Sequence, residues 1–172
     1  ESKNKLIFRS GKITVTGTQS NGIYSNTSNI VLGNKEDLVT VETPVIESDN
    51  VGVYVNEVDA RFNLYDGKII GKVAFNTGAN TVDGYKIIKY NEKETGKQIA
   101  TLVKENENVA LTYNDLKTAV ENASVDGTES IIYLLNDINL EDTLTILENK
   151  NIELDLNGYT ITNNNTYCVI DN

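Results

Sequence analysis

The side chains able to do chemistry in this chain are its carboxylates, two arginines (Arg9 and Arg61), one thiol and a set of tyrosines, because histidine is absent. Glycoside hydrolysis needs two carboxylates held about 5 to 9 Å apart. Asp137, Asp142, Asp155 and Asp171 can supply such a pair if they lie on stacked strands; the plainer reading makes them solvated turn and outer-face residues. Asp137, Glu141 and Asp142 offer oxygen ligands for Ca²⁺, but their spacing does not fit an EF-hand loop. Cys168 sits between Tyr167 and Val169 in a strand-like stretch with no histidine to activate it, so it reads as a small buried hydrophobe rather than a nucleophile. Tyr24, Tyr54, Tyr65 and Tyr159 can form a sugar-stacking platform if they face outward; repeated tyrosines at one register also form plain stacking ladders. No phosphate loop, zinc spacing or nucleophile motif occurs, and no Lys–Asn pair stands out for an isopeptide bond. The residues call for no cofactor and no metal.

The bulk composition narrows the classes. The chain has 172 residues, a formal net charge of −10, 23% charged and 39% hydrophobic residues. An acidic balance argues against nucleic-acid binding, which needs a basic stripe. No apolar run approaches the roughly 20 residues of a membrane span. Methionine is absent, so Glu1 is not expected to be a native start, and the chain reads as a processed product or an excerpt. A lone cysteine forms no internal disulfide, which leaves an extracellular home open.

The elements that would position these groups are short strands. Runs such as Ile30-Val31-Leu32, Val45-Ile46 and Ile131-Ile132-Tyr133-Leu134-Leu135 are closed by Gly, Asn, Asp or Ser. A weak repeat aligns Leu6-Ile7-Phe8-Arg9-Ser10-Gly11-Lys12-Ile13 with Phe62-Asn63-Leu64-Tyr65-Asp66-Gly67-Lys68-Ile69, and Gly22-Ile23-Tyr24 with Gly52-Val53-Tyr54. Strands this short bury an inner face by winding into stacked rungs, with a period of roughly 20 to 30 residues. Asn, the commonest residue type, falls just past strand ends at Asn26, Asn56 and Asn157. There it tolerates left-handed turns and can stack into amide ladders. Ile152, Leu154 and Leu156 alternate with Glu153 and Asp155, giving one buried and one wet face.

These patterns divide the chain. Residues 1–83 read as the closing rungs of a β-helix and 84–103 as a β-hairpin. Residues 104–112 read as a charged linker. Residues 113–124 read as a capping helix, with Thr112 and Asp115 forming its capping box and Leu116, Ala119, Val120 and Ala123 its apolar stripe. Residues 130–172 read as the opening rungs of a second β-helix.

Residues 113–162 resemble the opening of a pectate-lyase-like right-handed parallel β-helix from large bacterial cell-surface proteins of the Firmicutes type. The resemblance lies in a short helix, then Ile131-Ile132-Tyr133-Leu134-Leu135-Asn136-Asp137, then Ile152-Glu153-Leu154-Asp155-Leu156-Asn157-Gly158-Tyr159. Residues 6–75 are similar to the closing rungs of such helices. The resemblance implies an all-β β-solenoid with an inserted hairpin and one capping helix. It implies a non-catalytic extracellular stalk or adhesin-like repeat, exposed at the cell surface. The expected partners are host or cell-wall glycans and neighbouring repeats or copies stacked end to end, with no nucleic acid and no membrane span. Pectate lyases use an acidic Ca²⁺ cluster and an arginine base. Arg9 aligns with Tyr65 in the repeat, so it looks like a variable outward residue, and neither it nor Arg61 has an evident carboxylate cluster. The alternative readings are a carbohydrate-binding or lyase-like module and, further off, a phage tail-spike fragment.

Overall fold

The computed structural model describes residues 4–36, 39–40, 42–56, 60–92, 94–164 and 168–171. Among the described residues it is all-β with one short helix. The chain divides into two compact units, Glu1–Lys104 and Glu105–Asn172, each with its own apolar core.

In the first unit the strands are β1 (Lys5–Phe8), β2 (Lys12–Val15), β3 (Ile23–Ser25), β4 (Asn29–Leu32), β5 (Val45–Ser48), β6 (Val51–Val55), β7 (Phe62–Leu64), β8 (Lys68–Gly71), β9 (Val73–Phe75), β10 (Ala79–Asn80), β11 (Tyr85–Asn91) and β12 (Gln98–Lys104). The chain visits three sheets in turn. The first sheet has the order β1-β4-β7-β10, the second contains β2, β5 and β8, and the third runs β3-β6-β9. All pairings within these sets are parallel. β1-β2-β3, β4-β5-β6 and β7-β8-β9 each give one strand to each of the three sheets and so form one tier apiece.

Period-2 alternation sends every second side chain inward, so the register stacks like on like. Leu6, Ile30, Phe62 and Ala79 fall in one column, and Phe8, Leu32 and Leu64 in another. Ile13, Ile46 and Ile69 form a third, continued by Ala100. Ile30, Leu32, Ile46, Leu64 and Ile69 are fully buried. The sequence repeat is this register. Leu6-Ile7-Phe8 lies in the sheet of Phe62-Asn63-Leu64 with β4 between them, and Tyr24 lies opposite Tyr54.

The tiers approach closely at glycines. A Cβ on Gly22 would lie 2.6 Å from the Gly52 carbonyl oxygen, and one on Gly52 would lie 2.7 Å from that of Ala74.

The second sheet departs from a purely parallel arrangement. β12 lies antiparallel to β8 and β11 antiparallel to β12, giving the order β11-β12-β8-β5-β2. The hairpin is therefore part of this sheet, where it covers the β8 edge.

The second unit comprises β13 (Asn108–Ala110), α1 (Tyr113–Asn122), β14 (Glu129–Leu134), β15 (Ile138–Asn139), β16 (Leu144–Thr145), β17 (Asn151–Asp155), β18 (Ile161–Thr162) and β19 (Ile170–Asp171). Its pairings are parallel: β13-β14-β17, β15-β18 and β16-β19. Part of the stretch read as linker is thus a strand. The helix starts at its capping box, with the Thr112 hydroxyl accepting from the Asp115 amide and the Asp115 carboxylate accepting from the Thr112 amide. It ends at Asn122, two residues before the expected end at 124, and the backbone at Ala123 is already extended. Leu116, Ala119 and Val120 are buried with Ile132, Leu134, Ile138 and Leu144.

Candidate functional site

β3 and β6 place Tyr24 and Tyr54 in adjacent tiers of one sheet, with both rings outside the core. The rings are stacked, 5.5 Å between centroids and 12° between planes. Tyr24 is 57% exposed. Beyond it the chain turns from β3 into β4 through Asn26, Thr27 and Ser28. The Ser25 hydroxyl closes the turn, donating to the Ser28 carbonyl at 2.7 Å and accepting from the Ser28 amide at 2.9 Å. Asn26 Oδ1 accepts from Asn56 Nδ2 at 2.8 Å. Asn21 Oδ1 accepts from Asn50 Nδ2 at 3.0 Å in the same way. These contacts are the amide ladders that the Asn spacing suggests.

A cleft of about 250 Å³ opens beside Tyr24, lined by Leu6, Tyr24, Ser25, Asn26, Thr27, Ser28 and Ile30. Its lining combines an aromatic ring, amide and hydroxyl groups and two aliphatic side chains, with no carboxylate or cation. That chemistry suits stacking and hydrogen bonding to a neutral hydroxylated ligand.

The other two tyrosines do not join this pair. Tyr65 lies in the turn between β7 and β8, half-buried. Tyr159 packs against the core of the second unit.

The charged candidates lie at strand ends and in the connections between strands. Arg9 is exposed between β1 and β2, and Arg61 is exposed just before β7, where its amide donates to Asn29 Oδ1 at 2.8 Å. Asp137 accepts from the Thr160 amide at 3.0 Å, Asp142 from the Thr143 amide at 2.8 Å and Asp155 from the Asn157 amide at 2.8 Å. The Asp142 and Asp155 contacts are local to turns, whereas that of Asp137 joins segments 23 residues apart. Among the described residues no group of three or more His, Cys, Asp or Glu lies close enough to hold a metal ion.

Cys168 corrects its reading from sequence, because it is exposed. It precedes β19, whose one strand partner among the described residues is β16. The Thr143 hydroxyl donates to the Cys168 carbonyl at 3.1 Å.

The best-organised electrostatic feature went unseen in the sequence. Lys12 pairs with Glu47 at 2.7 Å, and Lys97 reaches Asp49 at 3.0 Å and Glu47 at 3.6 Å. Asp49 also accepts from the Gly17 amide at 3.0 Å. The Lys12 ammonium holds the Glu47 carboxyl below its ordinary range. The Gly17 amide, then Lys97, do the same for Asp49, and Asp49 raises Lys97. Lys97 belongs to the hairpin loop, so the network ties the hairpin to β5. Only the alternation of sign among these residues hinted at it.

No protein-family model matches this chain, and neither the search of curated proteins nor that of solved structures found a match.

Proposed function

We propose that this chain is a non-catalytic extracellular segment of a bacterial surface protein, built as right-handed parallel β-helix rungs and serving as a stalk or adhesin-like repeat. The observation that carries the reading is the in-register stacking of inward columns in the first unit, Leu6-Ile30-Phe62 and Ile13-Ile46-Ile69, visited by strands that pass through three sheets in turn. Stacked tiers of this kind add length by nearest-neighbour contacts, which is what a spacer needs. Antibody labelling of intact, unpermeabilised cells of the producing organism tests it. Surface labelling is expected; a purely internal protein, or turnover of polygalacturonate that vanishes on Arg9→Ala or Arg61→Ala, overturns it.

The stacked pair Tyr24–Tyr54 beside the hydroxyl- and amide-lined cleft favours a second reading, weak carbohydrate binding whose strength comes from repetition along an array. A glycan array probed with the chain and with its Tyr24→Ala variant tests it. Binding lost in the variant is expected, and equal signals from both refute it.

A further inference from the structure

The chain carries five steps at which Asn or Asp precedes glycine: Asn21-Gly22, Asp66-Gly67, Asp83-Gly84, Asp126-Gly127 and Asn157-Gly158. At such a step the glycine nitrogen, which no Cβ shields, can attack the side-chain carbonyl carbon of the residue before it. The attack needs a side chain free to swing onto the backbone and an amide that is not donating elsewhere. The fold restrains four of the steps. Asn21 Oδ1 accepts from Asn50 Nδ2, and the Gly22 amide donates to the Val51 carbonyl at 3.0 Å. Asp66 is buried, its carboxylate accepts from the Thr40 amide and hydroxyl, and the Gly67 amide donates to Asp66 Oδ1 at 2.7 Å. Asp126 accepts from the Ser124 hydroxyl and the Thr128 amide, which hold it as an anion down to about 2. Asn157 Nδ2 donates to the Leu134 carbonyl at 3.1 Å, and its amide donates to Asp155 Oδ1 at 2.8 Å.

Asp83-Gly84 differs, and it lies in the middle of the chain, where the parallel tiers give way to the hairpin. Both residues are exposed. Among the described residues neither the Asp83 carboxylate nor the Gly84 amide has a hydrogen-bond partner. The Tyr85 amide closes their turn by donating to the Val82 carbonyl at 3.3 Å, longer than the usual ~2.9 Å. Gly84 stands at φ 81° with nothing within 4 Å of an added Cβ, so no other part of the described structure crowds the turn there.

We propose that Asp83-Gly84 is a site of spontaneous isomerisation, with water as the sole co-reactant, at which the first unit acquires an isoaspartate. The Gly84 nitrogen bonds to Cγ of the protonated Asp83 carboxyl. The hydroxyl on Cγ and the proton on the amide leave together as water, closing a succinimide. A water then opens the ring. Attack at the side-chain carbonyl restores aspartate, and attack at the main-chain carbonyl leaves the chain running through Cβ and Cγ. Nothing is oxidised or reduced, and the mass is unchanged. Isoaspartate lengthens the main chain by one carbon between Val82, which is buried, and Tyr85, which packs against the core of the first unit. The extra length shifts one against the other and loosens the start of β11. The step needs only water, so it does not depend on the surface reading above.

Ageing the 172-residue chain in near-neutral buffer, folded and in denaturant, with peptide mapping that separates isoaspartyl from aspartyl peptides, tests this. Each step is compared with itself in the two states, so the differing intrinsic rates of Asn and Asp cancel. Asp83 is expected to react about as fast folded as denatured, whereas the other four steps slow by about tenfold or more, because their contacts must open first. Aged wild-type chain should melt below fresh chain, and Asp83→Ser, which keeps a small polar residue in the turn but has no carboxyl to attack, should lose less on the same treatment. Asp83 slowed by folding as much as Asp66 or Asp126, an aged chain that melts as the fresh one does, or an equal loss in Asp83→Ser would each overturn the inference. None of these results bears on surface labelling of cells, so failure here is distinguishable from failure of the surface reading.

Discussion

Replacing Gly52 with alanine adds one methyl group at a close contact between tiers of the first unit. Gly52 lies in β6, buried, and its backbone is not in the left-handed region, so alanine meets no local conformational penalty there. The added Cβ would face Ile69 Cγ2 and lie 2.7 Å from the Ala74 carbonyl oxygen. Gly71 crowds the same strand, since a Cβ there would lie 2.9 Å from the Gly52 nitrogen. A side chain can rotate out of the way, but the Ala74 carbonyl belongs to the backbone of β9 and moves only with its strand. Overpacking a filled core costs typically about 1–3 kcal/mol, and a backbone obstacle puts this site at the upper end. Stiffening of the unfolded chain returns about 0.4–1 kcal/mol. The net loss is about 2–2.5 kcal/mol, or roughly 8–20 °C in the melting transition of a unit this size. Gly78 is the control. Its backbone is also outside the left-handed region and nothing lies within 4 Å of an added Cβ. Gly78→Ala should therefore raise the transition slightly, by the unfolded-chain effect alone. Calorimetry of the full chain reads both variants. A Gly52→Ala transition within about 2 °C of the wild type, set against that expected shift, refutes the close stacking of β6 on β9.

Other perturbations address other links. Lys150 Nζ donates to the carbonyls of Val120, Glu121 and Ala123 at 2.8, 2.6 and 3.1 Å, where the helix ends. Lys150→Met keeps the stem and removes the charge, and should lower the stability of the second unit by about 1–2 kcal/mol; an unchanged denaturation midpoint would contradict the cap. Glu47 and Asp49 are held below their ordinary values of 4.5 and 3.8. Their depressed folded pKa values contribute stability that is present above those ordinary values and lost as pH falls through the lower, folded ones. Melts taken from pH 6 down to pH 2 should thus fall more steeply for the wild type than for Glu47→Gln with Asp49→Asn, and parallel curves would count against the network. Asp126, held by the Ser124 and Thr128 hydroxyls and the Thr128 amide, should titrate at about 2 by NMR; an ordinary carboxylate midpoint would mean the turn is open. Ile69→Asp puts a carboxylate between Ile46 and Ala100 at a fully buried position, and should unfold the first unit as read by circular dichroism.

What lay open in the sequence was what neighbouring residues decide. Alternation of Ile152, Leu154 and Leu156 with acids follows from the period of the strand, whichever strands flank it. The capping box needs only Thr112 and Asp115. The Gly22 and Gly52 segments carry the same pattern because stacked tiers meet the same steric demand at the same place, so the register of β3 on β6 could be read from spacing alone.

Tertiary structure decided whatever depends on which edges meet. The antiparallel attachment of β12 to β8 joins segments whose patterns do not differ from those of parallel strands. Lys97 finds Asp49 across 48 residues, and Lys150 finds the end of α1 across about 30, distances over which sequence spacing carries no geometric information. Cys168 shows the same limit at a single residue. Its strand pattern is that of a buried position, but burial needs a neighbour on both sides, and among the described residues β19 has one. Strand period fixes which way a side chain points; only the assembled tiers fix whether anything is there to cover it.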